Sequence, residues 1–146
     1  MTAYTIGIDP DADANGVAVY HDESLVRLCN LDTIGIVNLV SDLQNVLVSI
    51  ENVMANQFVY TRNQKASKAA QSKVAMHIGR CQQAQVELMR WLDHLGVKYV
   101  LHKPQRGNWA KDKARFEKVT GWKSRSNEDA RSAAYFGFLA VQRRAS

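Results

Sequence analysis

The sequence predicts an α/β protein built on a mixed five-stranded sheet with helices on both faces. Three observations lead there: three short apolar runs divided by turn residues at the N-terminus, two later apolar runs each preceded by a crossover segment, and a closing helical segment. A strand that returns parallel to an earlier one needs a long crossover, and helices in those crossovers cover the sheet.

Residues 4–8 alternate as a half-buried strand does. Residues 17–20 and 25–31 follow after the turn formers Asp13, Asn15, Gly16, Asp22 and Glu23, which gives three antiparallel strands. From Ile34 to about Val46, Ile34, Val37, Val40 and the Leu43/Leu47 pair recur at helical spacing; Leu47, Val48 and Ile50 then read as a buried strand ending at Glu51. Residues 58–71 are polar and basic with no apolar period, and read as a connector or the start of a helix ordered by binding. From Ser72, the residues Val74, Ile78, Cys81, Leu88, Leu92 and Leu95 keep a three-four spacing broken only by Gln85, and Gly96 stands where a helix C-cap glycine belongs. Residues 97–101 form the fifth strand, 102–109 a loop, 111–119 a short helix and 127–143 the closing helix.

A chain of 146 residues with 46% hydrophobic and 23% charged residues is expected to fold as one soluble domain spanning 1–146. Its net charge of +5 and pI near 9.4 favour approach to a polyanion. The distribution says more: Arg27 is the one Lys or Arg within residues 1–57, and all the others lie within residues 62–144. That division suggests a basic face meeting phosphates beside an acidic pocket, although a solvated helical face explains many such runs. Cys29 and Cys81 form no CxxC pair and no Cys/His spacing suited to zinc, so free thiols in a reducing compartment are expected. The N-terminus lacks a basic segment followed by an apolar run, and no apolar stretch approaches membrane length. A cytoplasmic protein is expected, in the host cytoplasm if phage-encoded.

Asp9 ends the first apolar strand and Glu51 the fourth. If those strands are neighbours, both carboxylates emerge at one edge of the sheet, where hard divalent cations find the oxygen ligands they prefer. A turn at Asp9-Pro10 and an ordinary strand-end charge at Glu51 would account for the same spacing. The four histidines show no HxxxH or HxxEH pattern and read as surface or helix residues; Cys81 reads as core; Asp11 and Asp13 read as turn formers.

The run IGIDPDADANGVAVY at residues 6–20, with SIENV at residues 49–53, resembles the RuvC-type Holliday junction resolvases of the ribonuclease H-like superfamily. The resemblance continues through MHIGRCQQAQVELMRWLDHLGVKYVLHKP and into the closing helix, covering most of the chain. It implies a ribonuclease H-like fold in which Asp9 and Glu51 hold metal, Mg²⁺ with Mn²⁺ as a substitute. The family's closing helix carries two acids three apart, the second before an alanine. In SRSNEDARSAAYFGFLA, matching Asp129-Ala130 puts Ser126 at the earlier position, whereas matching Ser132-Ala133 makes Asp129 the earlier ligand and Ser132 the later. Asp129 serves in either alignment, and the adjacent Glu128 is the expected replacement for the missing carboxylate. Helix capping also favours Glu128 and Asp129 at that helix start.

The resemblance further implies a basic residue after the fifth strand at the scissile phosphate, Lys103 or Arg106, and an apolar wedge after the fourth, here Met54 with Phe58 and Tyr60 nearby. Lys65, Lys68, Lys73 and Arg80 make a basic stripe, and Lys111 belongs to a second basic cluster near the C-terminal acids. Trp109 could stack on a base or anchor its loop in the core. The leading expectation is a two-metal, structure-selective endonuclease of recombination and repair that cuts four-way junctions or other branched DNA. Symmetric cutting implies a homodimer. Two other readings stand beside it: a branched-DNA-binding protein that keeps the fold without catalysis, and a nuclease acting on RNA or an RNA–DNA hybrid.

Overall fold

The computed structural model describes residues 3–55 and 67–145. Its elements are β1 (Tyr4–Asp9), β2 (Asn15–His21), β3 (Ser24–Leu31), α1 (Thr33–Ser41), β4 (Val46–Glu51), a 3₁₀ turn (Val53–Ala55), α2 (Lys68–Leu95), β5 (Lys98–His102), α3 (Lys113–Thr120) and α4 (Glu128–Ala145). The strands lie in the order β3-β2-β1-β4-β5. β1, β2 and β3 are antiparallel neighbours, whereas β1, β4 and β5 run parallel. The expected mixed five-stranded sheet is therefore present, with α1 and α2 as its crossovers.

Strand alternation sends apolar side chains to both faces. On one face Ile6, Ile8, Val17, Val19, Val48 and Ile50 pack with Ile36 and Val40 of α1 and Leu88 and Leu92 of α2. On the other, Ala18 and Tyr20 pack with Trp109, Phe116 of α3 and Ala133, Ala134 and Val141 of α4. Fully burying a side chain such as Phe116 stabilises by about 2–3 kcal/mol.

Element limits differ from the sequence reading for local reasons. α1 ends at Ser41 with Asp42 as its cap, five residues short of the expected end, because Val46 already pairs with Tyr4 in the sheet. α2 starts at Lys68 because the Ser67 hydroxyl caps the Ala70 amide at 3.1 Å. α3 starts at Lys113, with Asp112 accepting from the Arg115 amide at 3.1 Å. Gln85 does not break the seam of α2. It is fully buried, accepts from the Val53 amide at 2.8 Å and donates to Asn52 at 3.0 Å, so it clamps the chain just after Glu51.

The 28 residues of α2 span roughly 42 Å at about 1.5 Å per residue. A six-residue strand reaches only about 20 Å, so roughly half the helix overhangs the sheet. Val74 and Ile78, expected in the seam, lie on that overhang; Val74 is exposed and Ile78 half-buried. Among the described residues, no helix is long and apolar enough to cross a membrane.

Candidate metal centre

β1 and β4 are parallel neighbours with Ile8 opposite Ile50, so Asp9 and Glu51 leave the sheet at the same edge. α4 brings the third carboxylate. Asn127 accepts from the Ala130 amide at 2.8 Å, which starts the helix and puts Asp129 in its first turn. Gly16 lies opposite Asp9 in the β1/β2 register, and a Cβ there would run into the Asp129 carbonyl. Gly7 has the same role farther along the helix, against Ala133 and Gly137. α4 thus lies with its backbone directly on that of the sheet, and its first turn is held over Asp9. Tyr20 and Ser49 fasten it there, each donating a buried hydroxyl at 2.7 Å to a helix carbonyl, of Ala134 and Phe136 respectively.

The electrostatics of these groups agree with their crowding. Burial pushes the Asp9 carboxyl up to about 8, helped by Glu51, Asp129 and Asp11 and opposed by a hydrogen bond from Ser132. Glu51 is raised by burial and then by Asp129. Asp129 sits at a helix N-terminus, where the dipole favours its charge, yet burial, Asp11 and Glu128 raise it. Among the described residues, no basic side chain is among the groups that shift these three carboxyls. Oxygen donors that repel one another with no internal cation fit a hard divalent ion of the Mg²⁺ or Mn²⁺ kind.

Asp11 is the member that the sequence reading missed. It does shape the turn, with its amide donating to Asn15 at 3.1 Å and its carboxylate accepting from Ala12 at 2.6 Å. It also shares a side-chain hydrogen bond with Asp129, so it belongs to the cluster. The alternation Asp9-x-Asp11 after an apolar strand was the available signal.

Ser132, buried and one helical turn past Asp129, lies beside Asp9. Ser126 instead accepts from Arg131 at 2.8 and 3.0 Å, in a knot that also ties Arg131 to the Ala110 carbonyl. The fold thus brings Asp129 and Ser132, not Ser126, to the strand ends. Glu128 is exposed and raises the Asp129 carboxyl as a repulsive neighbour. Ser132→Asp adds a carboxylate beside Asp9; we expect a lower melting temperature without metal and a lower Mn²⁺ concentration for half-maximal thermal protection.

Lys103 follows His102, which pairs with Glu51 across β4 and β5; Lys103 and Arg106 are both exposed in the loop beyond. The loop is pinned where Tyr135 donates to Gln105 at 2.7 Å. His102, which the sequence reads as a surface or helix residue, ends β5 instead, and its Nε2 is buried with no hydrogen-bond partner among the described residues; burial and then Arg143 favour its neutral form. Met54 is exposed in the 3₁₀ turn, three residues after Glu51. Lys68, Lys73 and Arg80 are exposed on the overhanging half of α2, with Arg80 3.3 Å from Asp13, and Lys111 is exposed before the α3 cap. Lys65, Phe58 and Tyr60 lie outside the described residues. Trp109 corrects the expectation of a base-stacking surface: it is 2% exposed, stacked on Phe138 and edge-on to Tyr135, so neither ring face is free for a base.

The fold is similar to that of RuvC. Among solved structures, the chain is similar to Thermus thermophilus RuvC in complex with a Holliday junction substrate, with a TM-score of 0.66 at 14% identity over 98% of this chain and 96% of that one. Thermus thermophilus RuvC in a second structure gives 0.62 at 15% identity, over 97% and 96% of the two chains. No family model matches the sequence, and no curated protein does.

Proposed function

We propose that this protein is a metal-dependent endonuclease that cleaves four-way junctions or other branched DNA, leaving 5′-phosphate and 3′-hydroxyl ends. The observation that carries the reading is the gathering of Asp9, Glu51 and Asp129, with Asp11 beside them, on the exposed edge of a RuvC-type sheet. Asp9, Glu51 and Asp129 would hold the ions, and Mg²⁺ or Mn²⁺ bound there would supply an activated water and charge stabilisation at the leaving oxygen. Ser132 orients the Asp9 carboxylate and favours its charged form. Lys103 and Arg106 meet the phosphate that carries the cut, and Met54 lies against the bases at the branch. Two-fold cutting requires two such centres, hence a homodimer.

Lys68, Lys73 and Arg80 extend the contact along the arms of the junction. Contacts of this kind bind backbone rather than sequence. Neutralising Lys68 and Lys73 together lowers the slope of log affinity against log salt by roughly 2, measured by fluorescence anisotropy on a labelled junction.

The direct test incubates labelled junction, duplex, flap and RNA–DNA hybrid with Mg²⁺ or Mn²⁺. Paired nicks in the junction are expected; no metal-dependent cutting of any substrate overturns the enzyme. One observation favours a second reading, a junction-binding protein without catalysis: Ser132 stands where the resemblance calls for an acid. Tight binding of the junction without cleavage in either metal would establish it.

A further inference from the structure

Among the described residues, Asp11, His77 and Cys81 are a group of three ligand-type side chains whose ligand atoms converge. His77 and Cys81 are four residues apart on α2 and share one face of it. Cys81 Sγ lies 3.6 Å from His77 Nε2. Asp11, in the turn after β1, brings its Oδ1 to 3.9 Å from the same sulfur. The three ligand atoms all lie within 4.8 Å of one another. Asp11 and Cys81 are half-buried and His77 is exposed, so solution has access to them.

We propose that Asp11, His77 and Cys81 form a second metal site, for a borderline-soft divalent cation of the zinc class. The donors decide the class. A thiolate and an imidazole favour zinc or cobalt, whereas Mg²⁺ and Ca²⁺ keep to oxygen. The spacing agrees: bonds of about 2.3 Å to sulfur and about 2.0–2.1 Å to nitrogen at a tetrahedral angle put the two donors roughly 3.5 Å apart. Three protein ligands leave a fourth position for water or a phosphate oxygen. Asp11 also touches Asp129, so this site borders the carboxylate centre while its binding chemistry stands whether or not that centre cuts DNA.

The test titrates Co²⁺ into the full chain, stripped of metal and held reduced by a phosphine. One equivalent is expected to give the near-ultraviolet charge-transfer band of a sulfur–cobalt bond. Zn²⁺ should abolish the band stoichiometrically, and a large excess of Mg²⁺ should leave it. Cys81→Ser removes the band and Cys29→Ser keeps it. His77→Ala, a change at an exposed helix position, weakens Co²⁺ binding by at least about tenfold, the lower end of what even outer-shell partners contribute, and Asp11→Asn does likewise. A native far-ultraviolet spectrum for each variant ties the loss to the ligand. No band in the unaltered protein at one equivalent, a band that survives Cys81→Ser, or unchanged affinity in His77→Ala overturns the site.

Discussion

Asp9→Asn lowers metal-dependent junction cleavage by roughly 10²–10³-fold, the loss seen when one group preorganised for transition-state charge is removed. Binding of the junction is unchanged, because Asp9 sits among acids and contributes no attraction to phosphate. The same substitution has a second signature that no assay of DNA is needed to read. Asp9 holds its proton up to about pH 8 in the folded chain, against an ordinary value of 3.8. A raised carboxyl binds more protons folded than unfolded, so its contribution to stability is complete below pH 3.8 and is lost as pH rises from there towards about 8. Without divalent metal, the native protein therefore melts at a lower temperature at pH 8 than at pH 6. The asparagine amide carries no charge, so the variant loses most of this dependence, which in the native protein amounts to roughly 4–8 °C between pH 6 and pH 8, about 2 kcal/mol. Differential scanning calorimetry at the two pH values, with and without Mn²⁺, reads both effects. Normal cleavage by Asp9→Asn would refute the metal assignment; a melting curve independent of pH in the native protein would refute the crowding.

Gly16→Ala is expected to abolish the proposed cleavage without touching any carboxylate. The added methyl group meets the Asp129 carbonyl, and backbone cannot swing aside as a long side chain does. α4 must lift at its first turn, which costs about 1–3 kcal/mol as overpacking and draws Asp129 away from Asp9. Cleavage should fall at least as far as in Asp129→Asn, while urea unfolding shows a lower midpoint with unchanged slope. Gly79→Ala is the matched control. It lies on the exposed face of α2 with nothing near its Cβ, and alanine there stabilises by roughly 0.5–1 kcal/mol. Equal behaviour of the two variants would mean that α4 does not rest on β2 at Gly16.

The strand ends were legible because an apolar run that stops at an acid is a local pattern, and Asp9 and Glu51 each close one. The partnership of those strands was a condition that the sheet order then met. What the sequence could not show was proximity made by the fold. Asp11 lies 70 residues from Cys81 and still farther from Asp129 along the chain, and the Asp9-x-Asp11 spacing alone does not separate a turn aspartate that meets them from one that meets water. Trp109 follows a polar loop, which reads as surface, until α3 and α4 close an aromatic box around it. Gln85 looked like a fault in an apolar seam because its partners, Asn52 and Val53, come from another element. Conversely Ile34 keeps helical spacing but is 70% exposed, since the first turn of α1 precedes its contact with the sheet.

Because α4 rests on the sheet main chain to main chain, the separation of Asp9 from Asp129 is set by atoms that every amino acid shares. Mutation rewrites side chains and leaves those atoms in place. The two apolar clusters can drift in composition, and with them the stability of the protein, while the gap between the two carboxylates stays the same. A change that adds atoms at Gly7, Gly16 or Gly137 reaches it directly, so the distance is inherited largely apart from the core that surrounds it.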